Sequence, residues 1–180
     1  MGMRLVAAYI VDTLQKKYLR KYDLTFVSYF TRDTVLELMH EFVISAADSM
    51  DQDPGRKIYE HTDIQICCHR IDTTIVILVT DLEYPSRVSF RMMNQLHEDP
   101  TEKHLETILN QCQDARNVDA LYAVQRQLDE TLVIMHENVN KILQRGDDID
   151  ALVEKSERLS QTSKTFYKVA RKHNRCCTLQ

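Results

Sequence analysis

A chain of 180 residues is long enough for one ordinary domain, or for a smaller domain plus an extended segment. Its 23 Lys and Arg against 27 Asp and Glu give a formal net charge of −4, which gives no reason to expect nucleic acid as a partner. With only 3 Gly and 3 Pro the chain is neither disordered nor collagen-like. No apolar run approaches the roughly 20 residues of a membrane-spanning helix, so any membrane role must come from an attachment.

The front half mixes strand and helix signals. Arg4 to Val11 is an apolar run of strand length, and Lys16 to Asp23 is its candidate hairpin partner. Thr34 followed by Glu37 reads as a capping box that opens a helix. Val35, Leu38, Met39, Phe42, Val43, Ala46, Ala47 and Met50 then fall on one face of it. Asp51 to Arg56 is a turn cluster. Ile64, Ile66 and Cys68 alternate with Asp63, Gln65 and Cys67, as in a half-buried strand, and Thr73 to Thr80 reads as a fully buried one. Glu83 to Arg87 turns the chain into a helix carrying Val88, Phe90, Met93 and Leu96. Asp99 as N-cap, Pro100 and Glu102 open another, with Leu105, Ile108, Leu109 and Cys112 as its apolar stripe. The order predicts an α+β domain over residues 1–113, with helices packed on an antiparallel sheet.

The 5 cysteines are odd in number, and four of them form the adjacent pairs Cys67-Cys68 and Cys176-Cys177. Adjacent cysteines rarely bridge each other, and zinc ligands need wider spacing. A reduced, cytosolic protein without a metal or cofactor is expected.

The back half has no Pro and only Gly146 after residue 100. From Leu121 on, core-type positions recur at alternating steps of three and four: Leu121, Val124, Leu128, Thr131, Met135, Asn138, Ile142, Arg145, Ile149, Leu152, Ser156, Leu159, Ser163, Phe166, Ala170 and His173. A mean step of 3.5 is the coiled-coil period. As one helix the segment would run about 80 Å, too far to be buried on its own domain. Ten of the sixteen positions are apolar, a seam too dilute for a self-sufficient two-stranded coil and suited to a multi-helix bundle.

Arg145 lies on this seam between Ile142 and Ile149. Rotation of the helix would let it reach water, but the repeats on either side stay in phase. A buried guanidinium has five donors and no acceptor. Two copies of this chain would bury like charges, so the fitting partners carry neutral acceptors such as Gln amides.

No acidic residue follows Glu157, and Lys164, Lys168, Arg171, Lys172 and Arg175 precede Cys176-Cys177-Thr178-Leu179-Gln180. The last four residues fit the prenylation pattern with terminal Gln, which predicts farnesylation of Cys177. Cys176 is the palmitoylation candidate, and a second lipid would make anchoring stable and reversible.

Several stretches carry a family likeness. They are Leu143-Gln144-Arg145-Gly146, Ile149-Asp150-Ala151-Leu152-Val153, Lys155-Ser156-Glu157, Ser163-Lys164, Phe166-Tyr167-Lys168 and Ala170-Arg171-Lys172 with the double Cys. In front, Asp81-Leu82-Glu83-Tyr84-Pro85-Ser86-Arg87-Val88 and Tyr29-Phe30-Thr31-Arg32 fit as well. Together they resemble the prenylated, longin-bearing R-SNAREs of the YKT type, in the synaptobrevin-like superfamily. The resemblance implies a profilin-like longin domain at 1–113, a linker at 114–120, an R-SNARE coiled-coil motif at 121–173 and a lipid-anchor tail at 174–180. It implies zippering with the Qa, Qb and Qc helices of Q-SNAREs into a parallel four-helix bundle that drives vesicle fusion, with Arg145 as the zero layer. It also implies a closed form in which the longin domain folds over the SNARE segment, and a protein divided between cytosol and the cytoplasmic face of Golgi, ER–Golgi, endosomal or vacuolar membranes. The alternative is a longin-type trafficking adaptor or tether that binds a different coiled-coil partner. No catalytic Ser/His/Asp order, Gly-rich loop or carboxylate pair stands out, so an enzyme is not expected.

Overall fold

The computed structural model describes residues 4–15, 17–52, 55–61, 64–113, 134–138 and 149–177. Among them a six-stranded sheet has the order β2-β1-β5-β4-β3-β6. Its strands are β1 (Leu5–Asp12), β2 (Lys17–Tyr22), β3 (Arg56–His61), β4 (Ile64–Ile71), β5 (Thr74–Asp81) and β6 (Met135–Asn138). The first five pair antiparallel, as expected, while β6 lies parallel to β3, with Lys57 opposite Met135 and Glu60 opposite Asn138. The sheet is therefore mixed rather than antiparallel throughout.

Helices cover both faces. On one side α1 (Arg32–Gln52) packs Leu38, Met39, Val43, Ala46, Ala47 and Met50 against Tyr9, Tyr59, Ile66, Cys68 and Ile77. On the other, α2 (Ser86–Glu98) and α3 (Glu102–Gln111) pack Phe90, Met93, Leu96, Leu105 and Ile108 against Ala8, Ile10, Cys67, Val76 and Leu78. Two covered faces explain why β4 is buried on both sides, where alternation alone predicts a half-buried strand. Gln65 is tolerated inside because its amide donates to the carbonyls of Tyr84 and Asp81. Burial pushes the Cys67 thiol up to about 12 and the Cys68 thiol well above its usual range, so both are unreactive.

Local signals shift in three places. The first helix begins at Arg32, so Thr34 and Glu37 lie inside it and form no capping box. The third helix is capped by Thr101, whose hydroxyl accepts from the His104 amide, while Asp99 ends the helix before it. Strand β3 follows directly on the expected turn, where Gly55 takes φ +136°, a conformation that favours glycine.

The largest difference concerns the seam. Its described part is not one helix but strand β6 and two helices, α4 (Ile149–Lys155) and α5 (Gln161–Cys177). The physical cause is burial. Without partner helices Ile149 and Leu159 of the seam find cover on their own domain, and the open edge of β3 offers unpaired backbone groups to residues 135–138. Among the described residues no helix is long and apolar enough to cross a membrane.

Candidate functional site

α1 receives α4, the turn after it and the start of α5. Ile149, Val153 and Leu159 are buried in the same apolar cluster as α1, with Phe166 and Tyr167 packed at its margin. Val27, Val35, Leu36 and Phe42 pack at the margin of the same cluster.

A polar row runs through this apolar seat. Glu37 and Glu41 are one helical turn apart on α1. The Arg158 guanidinium donates to both oxygens of Glu41, at 2.7 Å from Nε and 2.9 Å from the second terminal nitrogen. Glu41 is 3% exposed, while the Arg158 side chain is 53% exposed, so the pair is buried at one end and wetted at the other. Bidentate charge-assisted bonds of this length are the strong kind. The bond to Glu41 raises the Arg158 pKa further.

One turn away, Glu37 accepts from the Ser163 hydroxyl at 2.7 Å and from the Ser160 backbone amide at 3.0 Å. These bonds, the one from Ser163 foremost, hold the Glu37 carboxyl below its ordinary pKa. The Ser160 hydroxyl accepts from the Ser163 amide, which caps the start of α5.

α4 and α5 are also tied to each other. Lys168 pairs with Glu154 at 2.6 Å, Lys164 donates to the Glu154 carbonyl at 2.7 Å, and Arg171 pairs with Asp150. A cleft of about 470 Å³ opens between the two helices beside these pairs.

The expected site residues divide into three groups. Arg145, with Leu121, Val124, Leu128, Thr131 and Ile142, lies outside the described residues. Met135 and Asn138 sit on β6. Ile149, Leu159 and Ser163 are buried on the domain, Leu152, Ser156 and Phe166 are half-buried, and Ala170 is exposed. His173, Cys176 and Cys177 belong to α5 by backbone. The sequence reading missed Glu37, Glu41, Val153, Arg158 and Ser160. One signal for two of them was present: Glu37, Glu41 and Ser45 form a polar row at helical spacing beside the apolar face of α1.

Comparisons with known proteins are concordant. The Synaptobrevin family model matches residues 120–180. "Synaptobrevin homolog YKT6" of Saccharomyces cerevisiae is 33% identical over 176 residues, covering 87% of this chain and 88% of that protein. The Yarrowia lipolytica protein of the same name is 34% identical over 181 residues, with the same coverage. "VAMP-like protein YKT61" of Arabidopsis thaliana is 32% identical over 174 residues, covering 87% of each chain.

Proposed function

The chain belongs to the synaptobrevin family as an R-SNARE of the YKT type that acts in membrane fusion, and from that premise we propose that it works by exchanging one partner for another along residues 121–173. In the resting chain the seam residues Ile149, Leu159, Ser163 and Phe166 lie on the longin-type domain of residues 1–113. In the working chain it zippers with the Qa, Qb and Qc helices of Q-SNAREs into a parallel bundle. Arg145 then meets the three Gln amides at the centre, and the lipid-bearing tail at 174–180 is drawn toward the partner anchors.

The observation that carries this reading is double use. Ile149, Leu159, Ser163 and Phe166 are positions of the 3.5-residue seam, and the same side chains cover α1. A side chain cannot fill a bundle layer and this seat together, so the two states exclude each other. The adaptor reading is weaker, because nothing in it requires a guanidinium in phase with Ile142 and Ile149.

The test is assembly with three Q-SNARE helices, followed by circular dichroism. The wild-type chain forms a cooperative, heat-stable helical complex. Arg145→Ala leaves three amide carbonyls without their donor, at about 1–3 kcal/mol for a buried acceptor left unpaired. Its complex melts lower and discriminates less between Gln-bearing and other helices. A complex of equal stability and partner choice would remove Arg145 from the centre of the mechanism.

Attachment is the second part of the proposal, with Cys177 as farnesyl acceptor and Cys176 as palmitoyl acceptor. The adjacent cysteines and the cationic stretch before them support it. In cells, Cys177→Ser is expected to take up no prenyl label and to stay in the soluble fraction. Membrane recovery equal to wild type would refute the assignment. The cytoplasmic faces of Golgi, ER–Golgi, endosomal or vacuolar membranes are the proposed places of action.

A further inference from the structure

The cations before the tail are not idle in the folded-back chain. Residues 161–177 carry five Lys and Arg and no Asp or Glu. Lys168 pairs with Glu154, Arg171 pairs with Asp150, and Lys164 caps the Glu154 carbonyl. These contacts require the bend between α4 and α5. On one straight helix Glu154 and Lys168 would stand about 21 Å apart, and Asp150 and Arg171 about 32 Å, at about 1.5 Å per residue. The pairs therefore exist in the folded-back state and cannot survive zippering.

We propose that Lys164, Lys168 and Arg171 form a binding face for an anionic lipid surface, that Asp150 and Glu154 occupy it in the folded-back chain, and that opening hands it to the leaflet. This rests on the reading of the fold-back as the resting state. The partner is argued from charge complementarity. The face is a cationic stripe with no acid of its own on α5, and the groups now on Lys168 and Arg171 are carboxylates, which present the same diffuse negative charge as phosphatidylserine headgroups. The energetics suit a switch. Exposed pairs of this kind are weak one by one, so a membrane can compete for them. Each Lys or Arg brought to an anionic leaflet is worth about fivefold in binding. Two such factors multiply to about 25-fold, and giving up the two weak pairs offsets part of it, which leaves roughly tenfold. Membrane contact and bundle assembly then favour the same open chain, so each assists the other.

The experiment uses the full-length chain without lipid and two kinds of vesicle, pure phosphatidylcholine and phosphatidylcholine with one-third phosphatidylserine, at about 0.1 M salt. Asp150→Asn with Glu154→Gln is expected to bind the anionic vesicles roughly tenfold tighter than wild type and the neutral ones no better. Glu83→Gln with Glu98→Gln makes the same change in net charge at exposed positions elsewhere and should leave binding at the wild-type level. Adding Lys168→Ala and Arg171→Ala to the first pair should cancel its gain. Equal gains for both neutralised pairs would reduce the effect to bulk charge, and no gain for the first would end the proposal. The fold-back reading is judged separately, by assembly rates with Q-SNARE helices in the absence of any vesicle.

Discussion

Glu41→Lys releases α4 and α5 from α1 and speeds assembly with Q-SNARE helices about tenfold or more. The argument starts from burial. Glu41 is 3% exposed and makes two short bonds to Arg158, so a lysine there faces a guanidinium in a site built for the opposite charge. Breaking a fully buried ion pair from one side costs about 3–5 kcal/mol. The Arg158 side chain is 53% exposed and recovers part of that from water, which leaves about 1–3 kcal/mol. Every 1.4 kcal/mol moves the closed-to-open ratio tenfold, and the observed assembly rate follows the open fraction. The final bundle is untouched, because Glu41 belongs to the domain and Arg158 falls between the seam positions Ser156 and Leu159. Arg158→Glu alone should accelerate assembly similarly. Glu41→Lys combined with Arg158→Glu restores a pair of reversed polarity and returns assembly toward the wild-type rate. A domain merely damaged by the first substitution would not be rescued by the second. Single variants that assemble at the wild-type rate, or a double variant as fast as either single, would show that this pair does not hold the chain closed.

How much of this was legible before any coordinates follows from which residues answer to local rules. The strands Leu5–Asp12 and Thr74–Asp81 and the helix carrying Val35 to Met50 follow from apolar spacing, because their burial is set by the domain they belong to. Strand β3 was hidden, since Arg56, Lys57 and Glu60 dilute its pattern and Ile58 and Tyr59 alone carry it. The capping-box reading of Glu37 failed for a related reason. An acid near a helix start can serve that helix or reach another element, and here Ser160 and Ser163 claim it. The seam is a deeper case. A 3.5-residue period describes what the segment does among other helices, whereas in the free chain Ile149 and Leu159 are buried in the cluster with α1 and residues 135–138 form an edge strand. Periodicity reports the most demanding state a segment must satisfy, and a single chain without partners occupies another.

That double life can be separated by position. Val153 is 1% exposed and sits in the cluster with Ile149 and α1, yet it lies one place past the seam position Leu152. Val153→Asp therefore puts an unpaired carboxylate into the fold-back seat alone. Burying such a charge costs several kcal/mol, so the segment leaves α1 rather than hold it. Assembly should accelerate by at least the factor expected for Glu41→Lys. The finished bundle should melt near the wild-type temperature, because on one continuous helix residue 153 flanks the core and its carboxylate reaches water. Leu159→Asp makes the contrast. Leu159 is 7% exposed in the same cluster and is also a seam position, so its aspartate opens the chain and then disrupts a bundle layer. The expected pair of results is fast assembly into a stable complex for Val153→Asp, and a chain equally open by hydrogen exchange at residues 149–177 but poor in assembly for Leu159→Asp. If the two variants behaved alike, in either direction, the faces used for folding back and for zippering would be the same, and release of one would not ready the other.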